Sequence, residues 1–380
     1  MKIIKAEAFK IHFKSVMVRD AEGHSHPEKE HDAAAGFLRI TCDDGTEGCA
    51  VDGNMNVDIL QNVVCPAIIG EDPFFHERIW QRMRTWQRLH STFTDRSLCA
   101  LDLALWDICG KKCSQPVYKL LGGFREKVPA YASIMVGDNF EGGLNTPQAY
   151  ADFSLKLLKK GYKAIKLHTW MPPIIPEPDP KLDVAACRAV REAVGPDIEL
   201  MLDPYHDYTR QEAYYIAKEL EKLNFLWMEE PMDEHSMSSY KWLTKEVDLP
   251  ICGPETAEGK NRSRAEWIIS GASDIGRAGS EVTGGITSLM KSVHLYESFG
   301  MSLELHGNTI GNLHVLGAMP IAGKYYERGL LHPFLDYDKP KPWFKSIYDP
   351  LNADGTVTIP TKPGLGWDFD YDYILNNRIK

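Results

Sequence analysis

The strongest constraint on the fold is a regular alternation of short apolar segments with helix-like segments. It begins near Val128 and continues for roughly 200 residues, a size typical of a parallel (β/α) barrel. Strand-like segments are found at 164–168, 198–203, 225–229, 249–253, 274–278 and 301–306. Helix-like segments are interleaved with them at 147–160, 210–223, 239–246, 261–270 and 285–299. This order predicts an α/β protein built on a parallel barrel.

The first third of the chain has a different order, with strands followed by helices. Strand-like patterns occur at 2–13, 36–42 and 46–52, and Asp43-Asp44-Gly45 marks a hairpin turn between the last two. Helical patterns follow at 57–68, 74–87 and 93–112. We therefore predict an α+β domain at 1–127 that caps the barrel mouth, a barrel at 128–335, and a C-terminal segment at 336–380 that returns to the cap.

Composition excludes several classes of partner. The 380 residues carry a formal net charge of −10 and no run of Lys or Arg, which argues against a nucleic-acid surface. No apolar stretch is long enough to span a bilayer, and the segment from Met1 to Lys5 does not open a signal peptide. Eight Cys are scattered without CxxC spacing, so we expect reduced, buried thiols in a cytoplasmic protein.

Polar side chains stand at the ends of the predicted barrel strands, which form the active-site face of such barrels. They are Lys166, His168, Asp203, Glu229, Glu230, Glu255 and His306. Asp203, Glu229 and Glu255 end three consecutive strands at equal separations of 26 residues. Three converging carboxylates without Cys or His suit a hard cation, above all Mg²⁺. Three separate ion pairs are the alternative, but acidic ends on adjacent strands would repel each other without a cation.

Nine short motifs occur in the order and spacing found in a known family. They are Leu101-Asp-Leu-Ala-Leu-Trp-Asp107, Ala164-Ile-Lys-Leu-His168, Leu202-Asp203, Met228-Glu-Glu-Pro231, Pro254-Glu255, Gly284-Gly-Ile-Thr287, His306, Tyr326-Glu327 and Pro363-Gly-Leu-Gly366. Over nearly its whole length the chain resembles the enolase superfamily, and within it the mandelate racemase group. The resemblance implies a capping domain with a modified (β/α)7β barrel. It also implies one Mg²⁺ per subunit, held by Asp203, Glu229 and Glu255, and a homo-oligomeric assembly.

The expected chemistry is removal of a proton next to a carboxylate of a small organic acid. Its removal gives an enediolate with two negative charges, which a divalent cation and a nearby ammonium stabilise. Lys166 ends the right strand for that ammonium, and the apolar residues before it argue against a surface lysine. Glu327 matches the family's eighth-strand acid, which bonds a substrate carboxylate oxygen and would donate when protonated. A rim ion pair is the alternative for Glu327.

The chain departs from the family at the end of the second barrel strand. The group usually has Lys-x-Lys there, with the second Lys as a base, whereas this chain has Lys166-Leu167-His168. Lys166 and His168 are two residues apart and so share one face of the strand. An imidazole has a pKa of about 6.5, so it needs less adjustment than a Lys to act as a base near neutral pH. His168 is therefore the candidate base, and hydrogen bonding to substrate hydroxyls is its alternative role.

A second departure concerns His306. The family segment that corresponds to residues 274–279 normally ends in an Asp that orients the His on the next strand, but this chain has Gly279. Without that carboxylate we expect His306 to be a weaker base, suited to protonating a leaving hydroxyl. Glu304 shares a strand face with His306 and is a candidate replacement for the Asp, within reach of substrate. Arg277 lies two residues before Gly279 and so shares its strand face, which makes Arg277 a candidate for binding substrate.

Two loops supply further candidates for substrate binding. Tyr205 and His206 follow Asp203 in a polar strand-end loop, where we expect contacts with substrate hydroxyls. Residues 22–31 hold three histidines and look like the capping loop that sets specificity in this family. Of the three histidines, we expect His24 to bind substrate. A second metal site and a solvated lid are the alternatives for this segment.

The polar array of His, Tyr and Arg suits a polyol better than an aromatic acid. We therefore predict a carbon–oxygen lyase that dehydrates a hydroxylated sugar acid to a 2-keto-3-deoxy acid. A racemase or epimerase and a lactone cycloisomerase of the same superfamily are alternatives. From another class, a non-catalytic protein that binds metal and sugar acid would explain the lost second Lys and the lost Asp. An unrelated sugar isomerase barrel would need His metal ligands, whereas the ligand positions here supply carboxylates.

Overall fold

The N-terminal part of the chain forms a three-stranded antiparallel sheet. The computed structural model describes residues 1–21, 23–172, 174, 178–320 and 323–379. The strands are β1 (Ile3–Arg19), β2 (Ser25–Cys42) and β3 (Glu47–Asp52), in that order across the sheet. Phe9 lies opposite Phe37, and both belong to an apolar cluster on one face of the sheet. Gly45 adopts φ +81° in the predicted turn between β2 and β3.

The hairpin of β1 and β2 is longer than the sequence predicts. The segment expected to be a capping loop is largely strand, because β2 already begins at Ser25. Asp20 holds the tip: its carboxylate accepts from the backbone N–H of His24 and lies 2.6 Å from Nε2 of His26. His26 is thereby tied into the hairpin, which argues against the alternative of a second metal site there.

A helical layer packs on this sheet. It consists of α1 (Val57–Ile59), α2 (Cys65–Ile68), α3 (His76–Gln87), α4 (Asp95–Lys112) and α5 (Val117–Leu120), with a π-helical turn at Leu60–Val64 and a 3-10 turn at Pro73–Phe75. The α4 helix begins where the Thr94 side chain accepts from the N–H of Ser97, and it ends with Lys111 and Lys112, whose charges favour a helix C-terminus. Most of α4 is buried between the sheet and the barrel.

Eight parallel strands form the barrel. They are β4 (Lys127–Ile134), β5 (Ala164–His168), β6 (Glu199–Asp203), β7 (Trp227–Glu229), β8 (Ile251–Cys252), β9 (Gly276–Ala278), β10 (Leu303–Leu305) and β11 (Tyr326–Leu331). The connecting helices are α6 (Pro147–Lys159), α7 (Pro180–Val194), α8 (Arg210–Lys222), α9 (Met237–Glu246), α10 (Asn261–Ser270), α11 (Ser280–Thr283), α12 (Ile286–Ser298) and α13 (Ile310–Ala318). Pairing runs β11-β4-β5-β6-β7-β8, a bridge from Cys252 to Ile275 continues it, and β9 pairs with β10. The predicted parallel barrel is confirmed.

One seam of the barrel is closed by a side chain. Within the ranges that the structure describes, no strand ladder joins β10 to β11. The Glu304 carboxylate accepts instead from the backbone N–H groups of Lys324, at 2.8 Å, and Tyr325, at 3.4 Å. Glu304 is buried at this seam. Among the described residues, the carboxylates next to His306 are those of Glu255 and Glu327, so Glu304 does not replace the missing Asp. That Glu304 reaches substrate stays a prediction.

After β11 the chain leaves the barrel and returns to the N-terminal sheet. It forms β12 (Thr356–Thr358), which pairs antiparallel with β4, and then α14 (Tyr371–Asn376). The N–H of Ile379 donates to the carbonyl of Lys10 at 2.9 Å, and the N–H of His12 donates to that of Asn377 at 2.9 Å. Eight strands joined by seven helical connections give the modified (β/α)7β form. The bounds at 127 and 335 stay a prediction.

Two buried aspartates of α4 connect the parts of the molecule. Asp102 accepts from the N–H of Thr287 at 2.9 Å and from its hydroxyl at 2.5 Å, at the start of α12. Asp107 accepts from the N–H of Cys49 at 3.2 Å and of Leu365 at 2.9 Å. Buried carboxylates need such partners, because an unpaired one is costly. Three of the sequence motifs therefore meet in space at α4.

The expectations about membranes and thiols can be compared with this fold. None of the helices in the described part of the chain is both long and apolar enough to cross a membrane. All eight cysteines are free, and all except Cys113 are buried. The prediction of buried thiols without disulfides is confirmed for the other seven.

Gly285 provides a test of the contact between α4 and the barrel. Its backbone has φ +112° and ψ 178°, and a Cβ there would lie 2.3 Å from Oδ2 of Asp102. Gly195 is a matched control, since it has φ +80° and ψ 179° but open space at the Cβ position. We expect Gly285→Ala to lower the free energy of unfolding by about 1–3 kcal/mol more than Gly195→Ala, because only Gly285→Ala overpacks the interior. Denaturant unfolding followed by circular dichroism measures both losses, and equal losses would contradict the contact.

Candidate active site

Ionisable side chains from seven neighbouring strands meet inside the barrel, mostly at carboxyl ends. They are Lys166 and His168 on β5, Asp203 on β6, Glu229 on β7, Glu255 after β8, Arg277 on β9, His306 after β10 and Glu327 on β11. The strand register sets their spacing: His168 stands directly opposite Asp203. The sheet therefore brings together residues that lie far apart in the sequence.

Lys166 is at the centre of the cluster. Its Nζ lies 2.9 Å from Oδ2 of Asp203, 3.0 Å from Oε1 of Glu229 and 3.2 Å from Oε1 of Glu327. Burial and the nearby Arg277 oppose its charged form, but the three carboxylates outweigh them and hold the pKa of Lys166 well above its ordinary value. This arrangement of carboxylates therefore favours the charged form of Lys166.

Arg277 supplies a second buried cation. Its Nε lies 2.8 Å from Oε1 of Glu229, its Nη2 lies 2.6 Å from Oε2 of Glu327, and its Nη1 donates to the Tyr131 hydroxyl at 3.3 Å. The planar guanidinium suits this kind of multiple pairing. The side chain is fully buried among these groups. That Arg277 binds substrate stays a prediction.

The carboxylates outnumber these two cations. With Asp203, Glu229, Glu255 and Glu327 ionised, four negative charges face the positive charges of Lys166 and Arg277. The formal charge is then −2 with both imidazoles neutral and −1 with His306 protonated. Buried charge of this size is costly without compensation. Burial, and the charges of Asp203 and Glu327, raise the pKa of Glu229 to about 7 against the opposing effect of Arg277 and Lys166. The cluster therefore holds more negative charge than its own cations neutralise.

The three predicted metal ligands fit a hard cation by their chemistry. In the residues that the structure describes, no three His, Cys, Asp or Glu side chains already surround a common point as a bound metal requires. Asp203 and Glu229, however, both place an oxygen within 3.0 Å of one ammonium nitrogen. Their oxygens thus already converge on a cation, and all-oxygen donor sets are those that Mg²⁺ prefers.

His168 has a fixed orientation. Its Nδ1 lies 2.7 Å from the carbonyl oxygen of Ile134, and because a carbonyl can only accept, Nδ1 carries the proton. The other ring nitrogen, Nε2, lies 3.0 Å from Oδ2 of Asp203. The Tyr150 hydroxyl donates to the backbone carbonyl of His168 at 2.8 Å and supports the strand end. Nε2 is therefore the ring atom that can take up a proton.

His306 has an acidic neighbour that the sequence did not reveal. Its Nδ1 lies 2.8 Å from Oε2 of Glu255 and 3.8 Å from Oε2 of Glu327. Burial alone would lower the pKa of His306, but the charges of Glu255 and Glu327 outweigh it and raise that pKa. Glu255 is therefore a carboxylate neighbour of His306 in place of the family's Asp. That His306 is a weaker base stays a prediction. A Cβ at Gly279 would lie only 2.7 Å from the His306 carbonyl oxygen, so the two strand ends are too close for an Asp there.

Glu327 is ionised. Its Oε1 accepts from the Ser133 hydroxyl at 2.8 Å, and its Oε2 accepts from the N–H of Gly307 at 2.7 Å. Burial opposes ionisation, but Lys166 and Arg277 hold the pKa of this carboxyl well below its usual range. In this arrangement Glu327 accepts hydrogen bonds and pairs with cations. Its role as a protonated donor to substrate stays a prediction.

The predicted substrate-binding residues of the two loops lie close together. The His206 ring is 6.1 Å from the His24 ring and 5.3 Å from the Tyr205 ring, measured between centroids. Burial lowers the pKa of His24; Asp20 opposes this shift, while charges on His206 and His168 add to it. The tip of the β1–β2 hairpin therefore stands over the barrel mouth, near His168.

Sequence reasoning missed two polar groups on β4. The Tyr131 hydroxyl accepts from Arg277, and the Ser133 hydroxyl donates to Glu327. Both side chains are buried. The sequence does contain a signal for them. Tyr131 and Ser133 are two residues apart and so share one face of β4, and a polar pair at alternate positions of an apolar strand marks its inward side.

Comparison with known proteins agrees with this geometry. Residues 149–373 match the family described as enolase C-terminal domain-like, and residues 18–122 match the N-terminal domain of mandelate racemase and muconate lactonizing enzyme. A crystal structure of D-glucarate dehydratase from Agrobacterium tumefaciens, complexed with magnesium, superposes with a TM-score of 0.97. It is 49% identical and covers 100% of this chain and 99% of that chain.

Curated relatives are more distant but cover most of the chain. Arabinonate dehydratase of Saccharolobus solfataricus is 29% identical over 317 residues, which are 81% of this chain and 79% of the relative. D-galactarolactone cycloisomerase of Agrobacterium fabrum is 28% identical over 358 residues, 90% of this chain and 91% of the relative. These relatives include named dehydratases, so the prediction of an enzyme of the lyase type is confirmed. Magnesium is present in the D-glucarate dehydratase structure. The chain belongs to the mandelate racemase and muconate lactonizing enzyme family of the enolase superfamily.

Proposed function

We propose that the chain is a magnesium-dependent dehydratase that removes water from a hydroxylated sugar acid and yields a 2-keto-3-deoxy acid. One observation carries the proposal: two imidazoles, His168 and His306, flank a buried carboxylate cluster whose own cations leave it negatively charged. The extent of similarity to D-glucarate dehydratase supports an aldaric acid such as D-glucarate as the first substrate to test.

Asp203, Glu229 and Glu255 would hold the magnesium ion. The net negative charge supports a single divalent cation per chain, and the all-carboxylate donor set supports Mg²⁺ over softer metals. When bound, such a cation neutralises charge on a substrate carboxylate as its neighbouring proton leaves. The remaining steps depend on side chains of this chain.

Lys166 would supply a fixed positive charge beside the substrate carboxylate. A preorganised charge of this kind is effective because it needs no reorientation as the enediolate forms, and removing one such contact costs about 10²–10³ in kcat. Glu327 and Arg277 then act on Lys166 and not on substrate. Glu327 pairs with both cations, and Arg277 keeps Glu327 ionised.

The two imidazoles would divide the proton transfers. Nε2 of His168 takes the proton from the carbon next to the carboxylate, because Nδ1 already donates to Ile134. The hydroxyl on the following carbon leaves as water after receiving a proton from His306. The position of His306, with Nδ1 3.8 Å from Oε2 of Glu327, supports this role, since a nearby carboxylate favours the protonated imidazole. The enol that remains rearranges to the keto acid.

The barrel order supports this division. Going around the sheet from β5, the strands β4 and β11 come before β10, so His168 and His306 approach the cluster from different sides. His24, Tyr205 and His206 would bind hydroxyls at the far end of the substrate, because they lie together at the mouth near His168.

Lactone cycloisomerisation is the second candidate, because a cycloisomerase relative covers 90% of this chain. It begins with the same proton abstraction, but it conserves the mass of the substrate, whereas dehydration removes the mass of one water. A homo-oligomer stays a prediction. A cytoplasmic location also stays a prediction, which the free thiols support.

The first experiment tests turnover together with the metal site. We expect the protein with Mg²⁺ to dehydrate D-glucarate or a related acid in a panel of aldarates and aldonates, with product mass and keto content as readouts. Glu229→Gln should abolish turnover and raise the Mg²⁺ Kd more than about tenfold, since even indirect changes cost about 10–100-fold. Glu246→Gln is the control, because that carboxylate is exposed on α9. An unchanged Kd in Glu229→Gln would refute the metal site, and no dehydration across the panel would refute the reaction.

The second experiment assigns the imidazoles. Exchange of the substrate α-proton with deuterated solvent reports proton abstraction separately from loss of the hydroxyl. We expect His168→Asn to abolish exchange and His306→Asn to retain it while losing dehydration, because only His168 is proposed to abstract the proton. The roles are reversed if exchange persists in His168→Asn and vanishes in His306→Asn.

A further inference from the structure

Arg264 lies on α10, outside the cluster described above, but its guanidinium reaches the ends of β8 and β9. The side chain is fully buried. It donates to four backbone carbonyls: those of Lys260 at 3.0 Å, Pro254 at 3.2 Å, Glu255 at 2.8 Å and Arg277 at 3.0 Å. These four hydrogen bonds therefore go to the backbone at the ends of β8 and β9 and in the turn that follows β8.

Two of these carbonyls belong to residues of the candidate active site. Glu255 contacts His306, and Arg277 contacts both Glu229 and Glu327. Their own side chains are also close, with Nε of Arg277 3.5 Å from Oε2 of Glu255. Because one rigid, planar group binds both backbones, it sets the separation of these two strand ends.

The environment of Arg264 is unusual for a residue that only supports a helix. Its hydrogen bonds go to neutral carbonyls, and within the described chain it forms no ion pair with a carboxylate, although the charges of Glu230 and Glu255 act on it. Burying a cation without an ion-pair partner is costly. A neutral amide has only two N–H donors, whereas the guanidinium can bind all four carbonyls in one fixed plane.

We propose that Arg264 is a positioning residue of the metal site: by clamping the backbone of Glu255 and Arg277, it holds the Glu255 carboxylate where a divalent cation can be bound. The inference rests on the proposed function, since it takes Glu255 as a ligand. Groups that act on a ligand from one contact away contribute about 10–100-fold to metal affinity in well-studied sites.

Arg264→Lys tests the clamp, because an ammonium keeps the charge but lacks the planar fork that reaches four carbonyls. Arg262→Lys is the matched control, since Arg262 is exposed on the same helix. Titration calorimetry with Mg²⁺ alone, on protein shown to be folded by circular dichroism, should give a Kd raised about 10–100-fold for Arg264→Lys and unchanged for Arg262→Lys. Raising the Mg²⁺ concentration should restore turnover in Arg264→Lys, which a loss of fold would not permit.

Each result decides the matter. An unchanged Mg²⁺ Kd in folded Arg264→Lys would overturn the inference. If that variant does not fold, Arg264→Gln takes its place, and failure of both to fold would assign Arg264 to stability and also overturn it. Failure of the proposed function looks different: wild-type protein would not bind Mg²⁺, or Glu229→Gln would bind it as tightly as wild type.

Discussion

The structure of the barrel mouth depends on the pairing of buried carboxylates with Lys166 and Arg277. Two like charges 4 Å apart repel by about 4 kcal/mol at an effective dielectric constant of about 20, so several carboxylates cannot share one interior without cations between them. Lys166 contacts three of them and Arg277 contacts three, with Glu229 and Glu327 common to both. These two cations make it possible for seven strands to end in ionisable groups around one space.

The remaining negative charge connects this arrangement to chemistry. A site with more carboxylates than cations is suited to a divalent cation. A cation beside a fixed ammonium in turn stabilises the enediolate of a carboxylic acid. The imidazoles complete the site from separate sides, each next to a different carboxylate: His168 beside Asp203 and His306 beside Glu255. Electrostatic compensation and acid–base chemistry therefore use the same carboxylates, and a change in one would be felt in the other.

Much of the fold could be predicted from the sequence, because the alternation of strands and helices is a local pattern. The position of Asp203, Glu229 and Glu255 followed from the same pattern, since residues at the ends of parallel strands meet at one face. The hydrogen-bond and ion-pair partners of the inward side chains could not be predicted, because they depend on the separation and angle between neighbouring strands. Glu304 has the strand parity of His306 but bonds to Lys324 and Tyr325 across an open seam. His306 takes its carboxylate from Glu255, beyond the adjacent strand that holds Gly279.

The central claim is that one divalent cation completes the charge of this cluster. A crystal structure of the protein grown with Mn²⁺, whose anomalous scattering identifies the ion, tests it most directly. The account predicts one anomalous peak per chain, about 2.1 Å from oxygens of Asp203, Glu229 and Glu255. A peak elsewhere would contradict the account. So would the absence of a peak at saturating Mn²⁺ in a structure where Lys166 keeps its ion pairs with Asp203 and Glu229.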